Sequence, residues 1–217
     1  MKKINDEYIY VVLVKALTGL GKFARHFSKY DYTHIAICLD EKFDDFITFS
    51  RRKHFAPFDC GFMHETLDCY AFGKNKKVKL KIFKVPVSNT NKRQIEQFIE
   101  NISDDQSYLF NFLSMVTMMI VHGFRIYKSY NCMSFVSKII ELSNSVKLEK
   151  PYYKYNIKEI DSLLGCYLYK EEFFTKEKTE TENYMDNVSV FKNIYLFFKL
   201  NGNLIYRLIA KRKDIYE

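Results

Sequence analysis

An α+β domain with a helical C-terminal extension is what this sequence predicts, on three observations. Runs rich in β-branched and aromatic residues, of strand length, occur at Tyr8–Val14, Thr33–Leu39 and Phe46–Phe49. Between and after them lie segments whose apolar residues recur at helical spacing, as at Ile95, Phe98, Ile99 and Ile102. A charged stretch poor in large aliphatic residues, 170–186, then separates the bulk of the chain from an amphipathic end. The expected division is a domain over 1–169 and a linker plus extension over 170–217.

The elements follow in order. Tyr8–Val14 reads as the first strand, and Leu17–Ser28 carries a helical stripe at Leu17, Leu20, Phe23, Ala24 and Phe27. Thr33–Leu39 and Phe46–Phe49 form a hairpin by pattern, joined by the polar link Asp40–Asp45. Residues 51–77 hold the breakers Pro57, Gly61 and Gly73 and read as loop. Val78–Val85 alternates Lys with apolar residues, as a half-buried strand does. Asn91–Ile102 is a helix with Ser88, Asn89 and Thr90 available as caps. Gln106–Val121 is apolar almost all round and is expected to pack inside. Cys132–Leu142 is an amphipathic helix with Phe135, Val136, Ile139 and Ile140 as its buried stripe. In Asn156–Leu164, Asn156 and Glu159 stand at capping-box spacing. Cys166–Tyr169 is strand-like; Val188–Leu200 is an amphipathic helix that Asn201-Gly202-Asn203 is expected to stop.

Composition narrows the function classes. The chain has 217 residues, 47% hydrophobic and 17% aromatic, a globular balance with a core of ordinary size. The net charge of +8 attracts anions in general. No zinc finger, RNA-binding aromatic signature or helix-turn-helix pattern accompanies it, so no nucleic-acid partner is expected. The five cysteines are odd in number and form no CxxC pair. Reduced thiols in a cytosol-like compartment fit that pattern better than a disulfide framework or a zinc site. The apolar run Tyr8–Val14 is short and lacks a small-residue cleavage site, so no signal peptide is read. No membrane span of roughly 18 apolar residues is found. No metal or cofactor is expected.

The chemistry-bearing pattern is a histidine, His34, opening an apolar strand, and a cysteine, Cys132, opening an amphipathic helix. A helix N-terminus presents free N–H groups and partial positive charge, which favour thiolate over thiol and can hold an oxyanion. An imidazole nearby would exchange the proton. Buried structural cysteine is the bland alternative, and it is the reading preferred for Cys60, Cys69 and Cys166, and for Cys38 on the His34 face.

The segment HIAICLD followed by FITFSRR resembles the His strand and next strand of NlpC-type and papain-like cysteine hydrolases. NCMSFV resembles the nucleophile motif Asn-Cys-x-x-Phe-Val of lecithin:retinol acyltransferase-like proteins. The His strand precedes the Cys helix, as in the circularly permuted branch. The opening through Asp40 is similar to small permuted papain-like proteins from bacteria, whose next strand commonly reads Tyr-Ser-Phe-Gly-Arg where this chain has Ile47-Thr48-Phe49-Ser50-Arg51. The likeness covers about residues 8–142. It implies a small antiparallel sheet packed on helices, with Cys132 as nucleophile, His34 as base and Thr48 as the group that orients the ring, Ser50 being the runner-up. Tyr32 and Tyr108 are candidates to line the pocket, packing being the ordinary role of tyrosine. Arg51, in the basic cluster Arg51-Arg52-Lys53, is the candidate to bind a substrate carboxylate, a solvated loop being the commoner outcome.

The expected activity is that of a cysteine amidase or peptidase working through a thioester. Acyl transfer or thioester hydrolysis on lipid or acyl substrates is the alternative. A third reading is a binding module without turnover, since a Thr48 hydroxyl orients a ring less firmly than a carboxylate or amide does. The basic amphipathic segment Val188–Lys213 suits weak membrane-surface contact, although a helical pair packed on the domain is preferred.

Overall fold

The computed structural model describes residues 7–16, 29–71, 76–175 and 184–211. The helix expected over Leu17–Ser28 lies outside the described residues. Six strands make one antiparallel sheet: β1 (Glu7–Val14), β2 (His34–Cys38), β3 (Phe46–Lys53), β4 (Ala56–Glu65), β5 (Lys77–Val87) and β8 (Leu168–Thr175), in the order β4-β3-β2-β1-β5-β8. Two short parallel strands, β6 (Leu109–Phe110) and β7 (Ser129–Tyr130), stand apart. Among the described residues the helices are α1 (Asn89–Asp104), α2 (Phe112–Val121), α3 (Cys132–Ser143), α4 (Ile157–Leu163) and α5 (Val190–Ala210). The α+β class expected from the sequence is therefore present.

The centre of the sheet is buried on both faces, which is why β1 reads as a continuous apolar run. Ile9, Val11 and Leu13 face the helical side, with Ile95 and Ile99 of α1 and Phe135, Val136 and Ile139 of α3. Tyr10, Val12 and Val14 face the other side, where Phe43, Tyr70, Ala71 and Tyr184 cover them. The capping residues act as expected. Ser88 Oγ accepts from the Asn91 N–H at 3.1 Å, and Asn156 and Glu159 form a reciprocal box.

Four expectations are corrected. Residues 56–65 are not loop but β4, an edge strand, where Pro57 costs no ladder bond that a central strand would need. Gly61 leaves room for Arg52, whose Nη2 stands 2.3 Å from where a Cβ would be. Residues 170–175 are not linker, because β8 runs on from Leu168 and pairs with β5. Its charges match Lys residues across the ladder, Lys79 Nζ reaching Glu171 Oε1 at 2.5 Å, so no apolar alternation announces it.

The segment before Val121 is not one buried helix. Asn111 caps α2 by accepting from the Ser114 N–H at 3.0 Å, and Val116, Ile120 and Val121 are exposed. Finally, α5 passes through Asn201-Gly202-Asn203. Asn201 and Asn203 donate to the carbonyls of Phe197 and Lys199, each at 2.9 Å, and Leu200 and Leu204 are buried on either side. That burial outweighs the roughly 1 kcal/mol by which Gly disfavours a helix interior relative to Ala.

Candidate active site

The parallel pair β6–β7 leads the chain into Asn131, the cap of α3. Asn131 Oδ1 accepts from the Ser134 N–H at 2.9 Å, while the Asn131 N–H donates to Ser134 Oγ at 3.0 Å. This box fixes the first turn and places Cys132 as its first residue. The N–H groups of Cys132 and Met133 belong to the first turn of α3, the positive end of the helix, where no preceding turn supplies carbonyls for them. Cys132 is buried, 7% exposed.

His34 opens β2, paired with Val14 of β1. Its ring is held by Glu65, the last residue of β4: Nε2 lies 2.7 Å from Glu65 Oε2. Ser50 Oγ donates to Glu65 Oε1 at 2.5 Å, and Tyr70 donates its hydroxyl to Oε2 at 2.7 Å. Tyr70 also lies against the imidazole, with ring centres 5.6 Å apart. Glu65 is only 3% exposed, a burial a carboxylate tolerates when cation and donors satisfy it, as here.

The electrostatics follow from that burial and those partners. Burial is the largest influence on His34 and pulls its pKa down. The Glu65 charge, hydrogen bonding with Cys132, the bond to Glu65 and the Cys132 charge together outweigh it, and the ring's pKa rises to about 10. Burial likewise pushes Glu65 up, but the His34 charge and the bonds from His34, Ser50 and Tyr70 bring it below its ordinary value. Burial and the Glu65 charge raise Tyr70 well above the usual range, so it stays a donor. With Nε2 committed to Glu65, Nδ1 is the nitrogen left for Cys132. The line Glu65–His34–Cys132 can therefore hold a proton on the ring beside a sulfur at a helix start.

The other predicted residues fall into place around this line. Thr48 does not orient the ring: it is fully buried and donates its hydroxyl to the Ile35 carbonyl at 2.8 Å, tying β3 to β2. Ser50 acts one step removed, through Glu65. Arg51 is not offered to a substrate, because its guanidinium donates to the Tyr184 hydroxyl at 3.3 Å and the His54 carbonyl at 3.1 Å. Tyr32 spends its hydroxyl on Glu171 at 2.8 Å. Tyr108 stacks on Tyr130, two residues before Cys132, with centres 6.1 Å apart.

Glu65 is the residue that sequence reasoning missed. It belongs to the segment read as loop, so nothing placed it beside a strand bearing His34. The alternation of Phe58, Cys60 and Phe62 with smaller or polar residues was the available signal. Among the described residues no cluster of His, Cys, Asp and Glu could hold a metal ion, and no helix is long and apolar enough to cross a membrane. No protein-family model, no curated protein and no solved structure matches this chain.

Proposed function

We propose that the chain is a cysteine hydrolase of the circularly permuted papain-like kind, acting on amide or peptide bonds. The observation that carries the reading is the buried Glu65 carboxylate on His34 Nε2, held also by Ser50 and Tyr70, and Cys132 is among the groups that raise the ring's pKa. The order of His strand before Cys helix and the NCMSFV motif support it.

In this mechanism the Cys132 thiolate attacks the substrate carbonyl carbon, forming the C–S bond and an oxyanion. The N–H groups of Cys132 and Met133 are the donors placed to hold that oxyanion. His34 gives its proton to the amine nitrogen as the C–N bond breaks, leaving a thioester and a neutral ring. The ring then takes a proton from water, whose oxygen attacks the thioester. The acid leaves, the sulfur regains its electron pair, and the imidazolium is restored. Glu65 keeps the ring oriented throughout and offsets its charge, a part for which a carboxylate is better suited than the Thr48 hydroxyl. That removes the main ground for a binding module without turnover.

The test is alkylation by iodoacetamide followed by peptide mapping. Cys132 is expected to react at least about tenfold faster than Cys38, Cys60, Cys69 and Cys166, as an activated thiolate does. Equal reaction of all five would overturn the reading. Panels of short peptides and of acyl esters, with Cys132→Ala as control, then separate amidase from acyl-transfer or thioesterase activity.

A further inference from the structure

α5 has two apolar faces. The inner one is firmly seated: Leu200 and Leu204 are buried among Leu109, Phe112, Leu113 and Ile126. Phe197 packs on Phe58, with ring centres 4.9 Å apart. Asn193 donates to the Phe55 carbonyl at 2.9 Å, and Arg207 donates to the carbonyls of Ser107 and Lys128 at 2.7 and 3.0 Å. These ties at both ends fix which side of the helix faces out.

The outer face carries Phe191, Tyr195, Phe198, Ile205, Tyr206 and Ile209, at the spacing of one helical stripe. All are exposed, Phe191 at 86% and Ile209 at 75%. Single exposed apolar residues are ordinary, but a stripe along a helix of about 31 Å marks an interaction surface. Lys192 and Lys199, two turns apart, border the stripe along one edge. No acidic residue occurs from 190 to 211.

We propose that this outer face docks on an anionic membrane surface, with the helix axis in the plane of the bilayer. The charge pattern selects this occupant. Apolar and aromatic side chains enter the acyl boundary while the flanking lysines meet anionic headgroups. A second copy of a chain with net charge +8 would bring one acid-free basic helix against another. Spanning is a different matter, since α5 is not apolar enough to cross.

The experiment is cosedimentation of the full chain with phosphatidylcholine vesicles, with and without phosphatidylserine. Gly202 gives a clean variant: it lies within the outer stripe, and a Cβ there meets nothing within 4 Å. Gly202→Glu therefore keeps the fold, checked by circular dichroism, and gains helix propensity. Binding to phosphatidylserine vesicles is expected to fall about tenfold in Gly202→Glu and in Phe198→Glu, and to rise in Gly202→Leu. Cys132→Ala is expected to bind as the parent does, so the surface stands or falls apart from the proposed catalysis. Undiminished binding by both acidic variants would overturn the proposal, as would equal binding to vesicles lacking phosphatidylserine. So would a concentration-dependent dimer that the same substitutions abolish, which would make a second copy the occupant.

Discussion

Glu65 and Asp161 are both carboxylates held by a tyrosine and a cation on the same sheet, yet they are built on opposite terms. Glu65 is 3% exposed and takes its bonds from Tyr70, Ser50 and the titratable His34. Asp161 keeps 16% of its side chain exposed and is held by Tyr30 and by Lys81, at 2.7 Å. Its neighbour Glu171 has the same plan, with Tyr32 at 2.8 Å and Lys79 at 2.5 Å. The wetter pairs tie β5 to α4 and β8 and contribute little, because water competes for every charge in them. The buried pair depends on each of its partners, and of the three clusters it is the one whose cation is an imidazolium, which its surroundings hold protonated above the ordinary histidine range.

Removing one partner at a time exposes the difference. Glu65→Gln leaves His34 without a counter-charge in a nearly dry site and is expected to cost about 3 kcal/mol in urea unfolding. Because the ring would then lose both its orientation and its charge, hydrolysis of any accepted substrate should fall by at least about a hundredfold. A loss under about 1 kcal/mol would mean that the site is wetter than described.

The pH dependence of stability sharpens the same contrast. His34 has a folded pKa raised to about 10 from 6.5. Its contribution is fully present below 6.5 and fades as pH rises toward 10. Glu65 has a folded pKa lowered from 4.5, so its contribution is present above 4.5 and is lost as pH falls through the lowered value. The advantage of the parent over Glu65→Gln should therefore be widest between 4.5 and 6.5 and narrow on either side. An advantage that does not vary with pH would show that no ion pair forms there. The smallest effect is expected at the wetter cluster: Asp161→Asn should cost about 1 kcal/mol or less and leave alkylation of Cys132 unchanged. A cost as large as that of Glu65→Gln would erase the distinction between the two clusters.

What could be read in advance depended on how local the governing physics was. Ser88 and Asn156 precede apolar stripes at capping distance, and both caps form as read; the Asn131 box is found in the structure. β1 is eight residues of nearly unbroken apolar chain and needs no context. β4 and β8 were illegible for a shared reason. Each is an edge strand: β4 is mostly half-buried and broken by Pro57 and Gly61, which mask its short Phe58-Cys60-Phe62 alternation, and β8 is mostly exposed and charged. α5 misled in another way, since Asn201-Gly202-Asn203 is a local stop signal that burial of Leu200 and Leu204 overrides.

The α+β class, the caps at Ser88 and Asn156, and the candidate pair His34 and Cys132 are legible from local pattern alone. That Glu65 holds the ring, that Thr48 serves a carbonyl, and that Arg51 is taken up by Tyr184 and His54 follows from how the strands pack. A side chain's chemistry is written in its own residue, whereas its partner is whichever group the coiling of the sheet brings within about 3 Å. Glu65 lies 31 residues from His34, at the far end of a strand that the local pattern does not announce.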